Sequence, residues 1–389
     1  MKEMNRRELI AAGAALGGAA LLAGCGSSGS TSSSSAKTTP LSKRPDISKE
    51  PGHLSILEWG GYEAGGTPAQ TSGMWAGTPY TKEFGKHSIT YTYIVNDDQS
   101  LSKAANGGPF DIVHPCNEML PSFVKEGLVQ PWDTSLLPSF KNLNPFLVKR
   151  GQINGQQYMI PWDWGYASLL YRSDKIDPGD ATGWELAWNP KYKGKVSLWN
   201  GAGSDMEVAA LKLGYTKPGE MDNMTPAQIA NAKNALIQQK PLNKFYWSSE
   251  YQQMQPAFKA GDIWIAYTWQ DAYVSMKAAK LQVNYLNPSQ GKLSWFCGFV
   301  LGSQTKNFFH AHKYVESFIN HHACVQMTNL FYYGTADATT KAGEIQNPAL
   351  AKQLTIGNPE ALLASDVHLQ SYQPNRSQYE LAWQEVLAA

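Results

Sequence analysis

Short runs of β-branched and aromatic residues alternate along this chain with longer segments of helical period. Runs at 54–59 and 89–95 have the composition of strands, rich in Ile, Val, Tyr and Thr. Residues 111–115 read as another short strand and lead into a helix over 118–126. Met159-Ile160-Pro161 and Trp164-Gly165 precede a strand over 167–172. A further strand over 196–199 ends in a glycine-rich turn that opens a helix over 206–213. Thr225-Pro226-Ala227-Gln228 is a capping box with proline at the first helical position, so it starts a helix running to Gln239. A strand over 263–268, a helix over 271–280 and two more strands come next. A long helical run over 309–332 and a closing helix over 376–387 complete the pattern. Strand–helix alternation of this kind predicts an α/β protein of parallel sheets covered by helices, in two lobes.

The start of the chain lacks that pattern. Lys2, Arg6 and Arg7 precede a Gly/Ala/Leu-rich stretch over 9–23, shorter than the roughly 20 apolar residues of a membrane span. Residues 1–24 therefore read as a signal peptide. They lead into Leu22-Ala23-Gly24-Cys25, which resembles a bacterial lipobox and makes Cys25 the lipid-modified first residue of the mature chain. Asn5-Arg6-Arg7 fits a twin-arginine signal and an ordinary export signal equally well. Residues 26–40 are mostly Gly, Ser, Thr and Ala, so 25–50 read as a lipid-anchored flexible tether. No later stretch is long and apolar enough to span a bilayer.

The remaining body, roughly 340 residues, is long enough for about two domains. Lys and Arg number 33 against 32 Asp and Glu, a formal net charge of +1, so neither nucleic acid nor an acidic membrane surface is implied as a partner. Cys116, Cys297 and Cys324 remain after Cys25, and no C-x-x-C is present. At most one bridge can form among three cysteines; a disulfide framework or zinc ribbon is not expected, and buried thiols are. The chain has no G-x-S-x-G elbow, no phosphate-binding P-loop and no H-E-x-x-H. His310 with His312, and His321 with His322, lack the spacing that puts two ligands on one helical face. Gly201-Ala202-Gly203 lacks the third glycine of a dinucleotide fingerprint and reads as a tight turn. No enzyme, cofactor or metal site is expected, a lipoprotein enzyme on an α/β fold being the remote alternative.

Aromatic residues change the picture. The chain holds 13 Trp and 19 Tyr. In Glu58-Trp59-Gly60-Gly61-Tyr62 two of them stand just past a strand, where α/β proteins place ligands. Trp247, Trp269 and Trp295 recur in strand-end contexts. Each alone reads first as a core-filling residue. Several converging on one cleft would present negative faces suited to an organic cation.

Ordered motifs then match a family. Residues 54–62 and 110–115, Phe123-Val124-Lys125-Glu126-Gly127-Leu128, and Ile160-Pro161-Trp162-Asp163-Trp164-Gly165 resemble the spermidine/putrescine-binding proteins of bacterial ABC transporters. So do Pro190-Lys191-Tyr192-Lys193-Gly194-Lys195, Lys212-Leu213-Gly214-Tyr215 and Trp269-Gln270-Asp271. The resemblance implies a two-lobed periplasmic-binding-protein fold, type II-like, with a cleft between the lobes and hinges near 160–165 and 267–271. It sets lobe 1 at 51–160 plus about 271–325, and lobe 2 at 161–270 plus about 326–389. It implies an extracytoplasmic protein, in the periplasm or at the cell surface, whose partners are a small cationic amine and ABC permease subunits. A monomer is expected, touching the membrane through its lipid anchor only.

Carried over position by position, Trp59 and Tyr62 match the first-strand aromatics of the polyamine slot, and Trp247 an aromatic of the second lobe. Trp269 and Asp271 match the stacking tryptophan and the carboxylate that takes an ammonium. Trp295 and Tyr333 match cleft walls, and Gln373 a polar contact near the C-terminus. The departures matter as much. Family acids after the strand at 196–199 are replaced by Gly201, Ala202, Gly203 and Ser204, with Asp205 one step beyond. Another acid becomes Cys297, and a polar residue becomes Cys116, while Glu58, Glu118 and Asp163 are new acids near cleft edges. Glu118 joins the candidate ligand-binding residues on that ground. A single cation with a polar or anionic tail suits the retained half better than a long polyamine. A quaternary amine, opine or amino-acid derivative is the alternative ligand class.

Overall fold

The computed structural model describes residues 49–63, 79–85, 88–248 and 253–389. The expected signal peptide, the lipidation site Cys25 and the tether up to residue 48 lie outside the described residues. Among the described residues no helix is long and apolar enough to cross a membrane.

Among the described residues eleven strands form one mixed sheet. Its main path runs Ile89–Ile94, Leu54–Trp59, Ile112–Val113, Lys292–Gly302, Met159–Arg172, Ile265–Trp269, Val196–Ser197. The strands at each end of this path pair in parallel, as the βα alternation predicts. The two long central strands correct that expectation, because they pair antiparallel with each other and with their neighbours on this path, although Lys292–Gly302 also pairs in parallel with Val367–Leu369 off it. Each carries the chain from one half of the molecule to the other, and a chain that crosses and returns meets itself antiparallel.

Met159–Arg172 was legible only over its last residues. The first twelve of its 14 residues are buried, and a strand covered on both faces shows no polar alternation. Pro161 lies inside it, a residue that cannot donate to a ladder. The register with Lys292–Gly302 shifts between Cys297 and Gly298, directly opposite Pro161. Gly298 is required there, since a Cβ would press on the Ile160 carbonyl and on Pro161.

Two apolar cores flank the sheet. The first gathers Leu54, Ile112, Phe123, Trp162, Trp164, Phe299 and the helices Phe308–Ile319 and His321–Phe331. The second gathers Leu169, Trp184, Met206, Leu236, Phe258, Tyr267 and the closing helix Arg376–Ala388. Tyr166 belongs to the first and Ala167 to the second; Leu293 belongs to the second and Trp295 to the first. Helix Gln270–Ala278 packs into the second core through Ala272, Tyr273 and Met276, whereas the sequence-based partition set 271–325 in the first lobe.

Local rules explain most of the helices. The capping box at Thr225 forms as predicted, with Thr225 and Gln228 exchanging hydrogen bonds, and it opens Pro226–Gln239. The long run over 309–332 divides at Asn320, whose side chain accepts from the Ala323 N–H and starts a second helix. Helix Asp97–Asn106 was not foreseen. Asn96 caps it by accepting from the Gln99 N–H at 2.8 Å, and Asp97 and Asp98 occupy its first turn.

Candidate functional site

Between the two cores lies a cleft enclosing about 1080 Å³ that opens to solvent. Strand ends build it. Trp59 and Ile94 close two parallel strands, His114 and Cys116 follow a third, and in the opposite half Trp269 closes a strand while Trp199 stands two residues beyond another. Side chains that leave strand ends converge where helices do not cover the sheet.

Of the residues singled out by sequence, Trp59, Tyr62, Glu118, Trp247, Trp269, Trp295 and Tyr333 all line this cleft, as does Gln373. Asp271 stands behind the wall in the first turn of Gln270–Ala278 and accepts the Tyr333 hydroxyl at 2.8 Å. Trp199, Trp247 and Trp269 form a mutually edge-on triad with ring centroids 4.4, 4.9 and 5.4 Å apart. The Trp247 indole is fixed by donating to the Tyr267 carbonyl at 3.0 Å. Across the cleft Trp295 meets Tyr333 edge-on at 4.9 Å, and Tyr62 stacks on Phe331 at 4.6 Å.

Trp199 escaped the sequence reading although the strand read over 196–199 ends on it, so the criterion used for Trp59 applied at residue 199 finds it. Its indole explains a departure from the family pattern. A Cβ at Gly201 would collide with the Trp199 ring, leaving no room for an acid there. Asp205 turns inward to accept the Gly201 N–H at 3.2 Å, and burial pushes its carboxyl well up.

Beneath Trp59 and Tyr62 lies a compensated charge network. His114 places Nδ1 2.6 Å from a Glu58 oxygen and Nε2 3.3 Å from an Asp163 oxygen, and all three residues are buried. Tyr62 donates to Asp163 at 3.1 Å, and the Trp59 indole donates to the His114 carbonyl at 2.7 Å. Burial acts to lower the His114 imidazole, but Glu58 and Asp163 outweigh it and raise it to about 10, so it is an imidazolium at neutral pH. His114 was missed because nothing local marks it.

The other end of the cleft holds Asp97, Asp98, Glu118, Gln370, Gln373 and Arg376. Arg376 from the second half donates through Nε to Asp98 from the first, tying the two across the cleft. Asp97, Asp98 and Arg376 were not found by sequence, since they join only through tertiary contacts. Cys116 and Cys297 form a disulfide in the cleft wall, which corrects the expectation of buried thiols for this pair. They sit opposite each other on adjacent chain segments, a pairing that sequence spacing does not encode. Cys324 is a free, buried thiol. Among the described residues no group of three His, Cys, Asp or Glu side chains is placed to hold a metal ion. His310 is occupied by Glu50, and His312 by the Phe308 carbonyl.

A family model described as bacterial extracellular solute-binding protein matches residues 63–352. The spermidine/putrescine-binding periplasmic protein of Escherichia coli K12 is 26% identical over 280 residues, covering 71% of this chain and 77% of that protein. A solved structure titled a putative spermidine/putrescine ABC transporter from Listeria monocytogenes superposes with a TM-score of 0.73 at 21% identity, covering 86% of this chain and 99% of that one. A binding protein from A. tumefaciens R10 in complex with agropinic acid superposes at 0.64 with 19% identity, covering 87% and 97%. Those likenesses carry the two-lobed fold, with the cleft where the two cores meet. By its matched sequence this chain belongs to the bacterial extracellular solute-binding proteins.

Proposed function

We propose that this protein captures a small amine-bearing cation, a polyamine or a related amine, outside the cytoplasm and hands it to the permease of an ABC importer. One observation carries the reading: seven aromatic side chains from both halves converge on a single cleft together with the carboxyls of Asp97, Asp98, Glu118 and Asp163. Aromatic faces attract an ammonium by about 0.5–2 kcal/mol each and pack against methylenes, while a carboxylate supplies the stronger charge-assisted bond. Trp59, Tyr62, Trp247, Trp269, Trp295 and Tyr333 form the aromatic box. Asp271 acts through Tyr333, orienting its hydroxyl. Cys25 anchors the monomer by its lipid, so the soluble body works beside the permease. Closure takes place where Met159–Arg172 and Lys292–Gly302 pass between the cores, because those strands are continuous while the cores beside them are separate.

The relatives' names support the amine class. A second reading, an opine or amino-acid derivative, draws on Arg376 in the cleft, which suits an anionic tail. Native mass spectrometry of the protein purified without denaturation, followed by calorimetry against diamines, triamines, quaternary amines and zwitterionic amines, tests both. Tight binding of a cation from that panel supports the amine reading. No binding by any amine, with a carboxylate ligand retained instead, sinks it.

A further inference from the structure

The part of the cleft wall that the aromatic rings leave uncovered is rich in carboxyls. Asp97 and Asp98 come from the first turn of their helix, Glu118 from the turn Asn117–Met119, and Arg376 from the start of the last helix; all four line the cleft. Glu207, Asp222 and Glu380 stand behind them and act on the same charges. Arg376 is the one base in this group, and its Nε is committed to Asp98.

The other acids are provided for. Asp97 accepts the Cys116 N–H at 2.9 Å, Asp222 accepts the Ser371 N–H at 3.0 Å, and Glu207 accepts the amides of Gln370 and Gln373. Glu118 differs. It is 8% exposed, and its Oε2 is buried with no hydrogen-bond partner. A buried carboxylate oxygen with no donor, facing other acids, strongly favours the protonated form. Burial first and Asp97 second push the Glu118 carboxyl up to about 8, against the pull of Arg376, and burial pushes Asp97 up to about 6.

We propose that Glu118 is the carboxyl that receives the cationic N–H of the ligand, and that binding exchanges the Glu118 proton for the ligand's charge. The proton leaves the carboxyl O–H for solvent, and the carboxylate so formed accepts from the ammonium. The wall and the bound ammonium together then carry the charge that the wall alone carried before, so the cleft never holds an uncompensated carboxylate. This rests on the amine reading above and narrows it: the ligand's charged end must carry an N–H, as a primary ammonium or amidinium does. A fully alkylated ammonium satisfies the aromatic box but leaves Glu118 without a donor.

Calorimetry with putrescine at pH 7, run in phosphate and in Tris, counts the protons released. The wild-type protein releases close to one proton per putrescine bound, and its affinity rises as pH goes from 6 to 8. Glu118→Gln keeps the shape, releases none and binds putrescine about thirtyfold or more weakly. A bis-quaternary analogue of equal chain length binds both proteins alike and releases no proton. The proton count on the wild type stands even if the variant folds poorly. Tight putrescine binding with no proton release, or unchanged release from Glu118→Gln, overturns this inference and leaves the amine reading intact. Absence of binding by every amine overturns both.

Discussion

The two ends of the cleft bury carboxyls in opposite ways. Below Trp59 and Tyr62, Glu58 and Asp163 flank the His114 imidazolium and Asp163 also takes the Tyr62 hydroxyl, although the second Glu58 oxygen has no partner. At the far end Glu118 has an oxygen with no partner, and the nearby base is already bound to Asp98. A carboxyl bonded to a buried cation has its charge compensated within the wall, while one that no base bonds can take its counter-charge from something that arrives. The first end is therefore built for stability and the second for recognition.

Removing the cation from the charge-compensated end should have the largest effect. His114→Leu leaves two buried carboxyls uncompensated and should cost about 3–5 kcal/mol in chemical unfolding. Glu118→Gln should leave stability unchanged or raise it. Equal destabilisation by both would erase the distinction between the ends. Reducing the Cys116–Cys297 bridge with a small dithiol comes next. It closes a loop of 181 residues, and its loss should cost about 2–4 kcal/mol of stability. Because Cys116 lies two residues from Glu118, reduction should also weaken putrescine binding. Unchanged affinity after complete reduction would show that the bridge does not position the acid end.

Trp269→Leu should cost about 1–2 kcal/mol of affinity for any cation, with or without an N–H. A loss seen only with primary amines would mean that the box and Glu118 act as one unit. The smallest effect is the pH dependence of the empty protein. Glu118 binds its proton more tightly folded than unfolded, so its contribution to stability is present below about 4.5 and is lost as pH rises through about 8. His114 contributes fully below about 6.5 and loses that as pH rises through about 10. Thermal melts should therefore fall with rising pH in both windows, and Glu118→Gln should flatten the lower one alone. A melting temperature that climbs between pH 5 and 8 contradicts the protonated Glu118.

Strand ends, the Thr225 capping box and the two-lobed α/β order were legible because each depends on a few adjacent residues. So were Trp59 and Trp269, which end their strands, whereas Trp295 lies inside Lys292–Gly302 and Trp247 in an isolated bridge to Trp199, a correction to the strand-end expectation for those two. The buried start of Met159–Arg172 was not, because a strand covered on both faces loses the alternation that identifies it. Asp97–Asn106 was missed although Asn96 is a good cap, and with it went the two acids that neighbour Glu118.

By itself the sequence determined the elements whose signals are local, such as the strands at 54–59 and 89–94 and the helix opened at Thr225, and it set Trp59 and Trp269 at strand ends. Tertiary structure alone decided the chemistry of the cleft. Asp98 and Arg376 are 278 residues apart, Cys116 and Cys297 are 181 apart, and His114 meets Asp163 only once three segments share a core. Whether a carboxyl is paired, bridged or left without a donor depends on distances of about 3 Å, and those exist only after the chain has closed on itself.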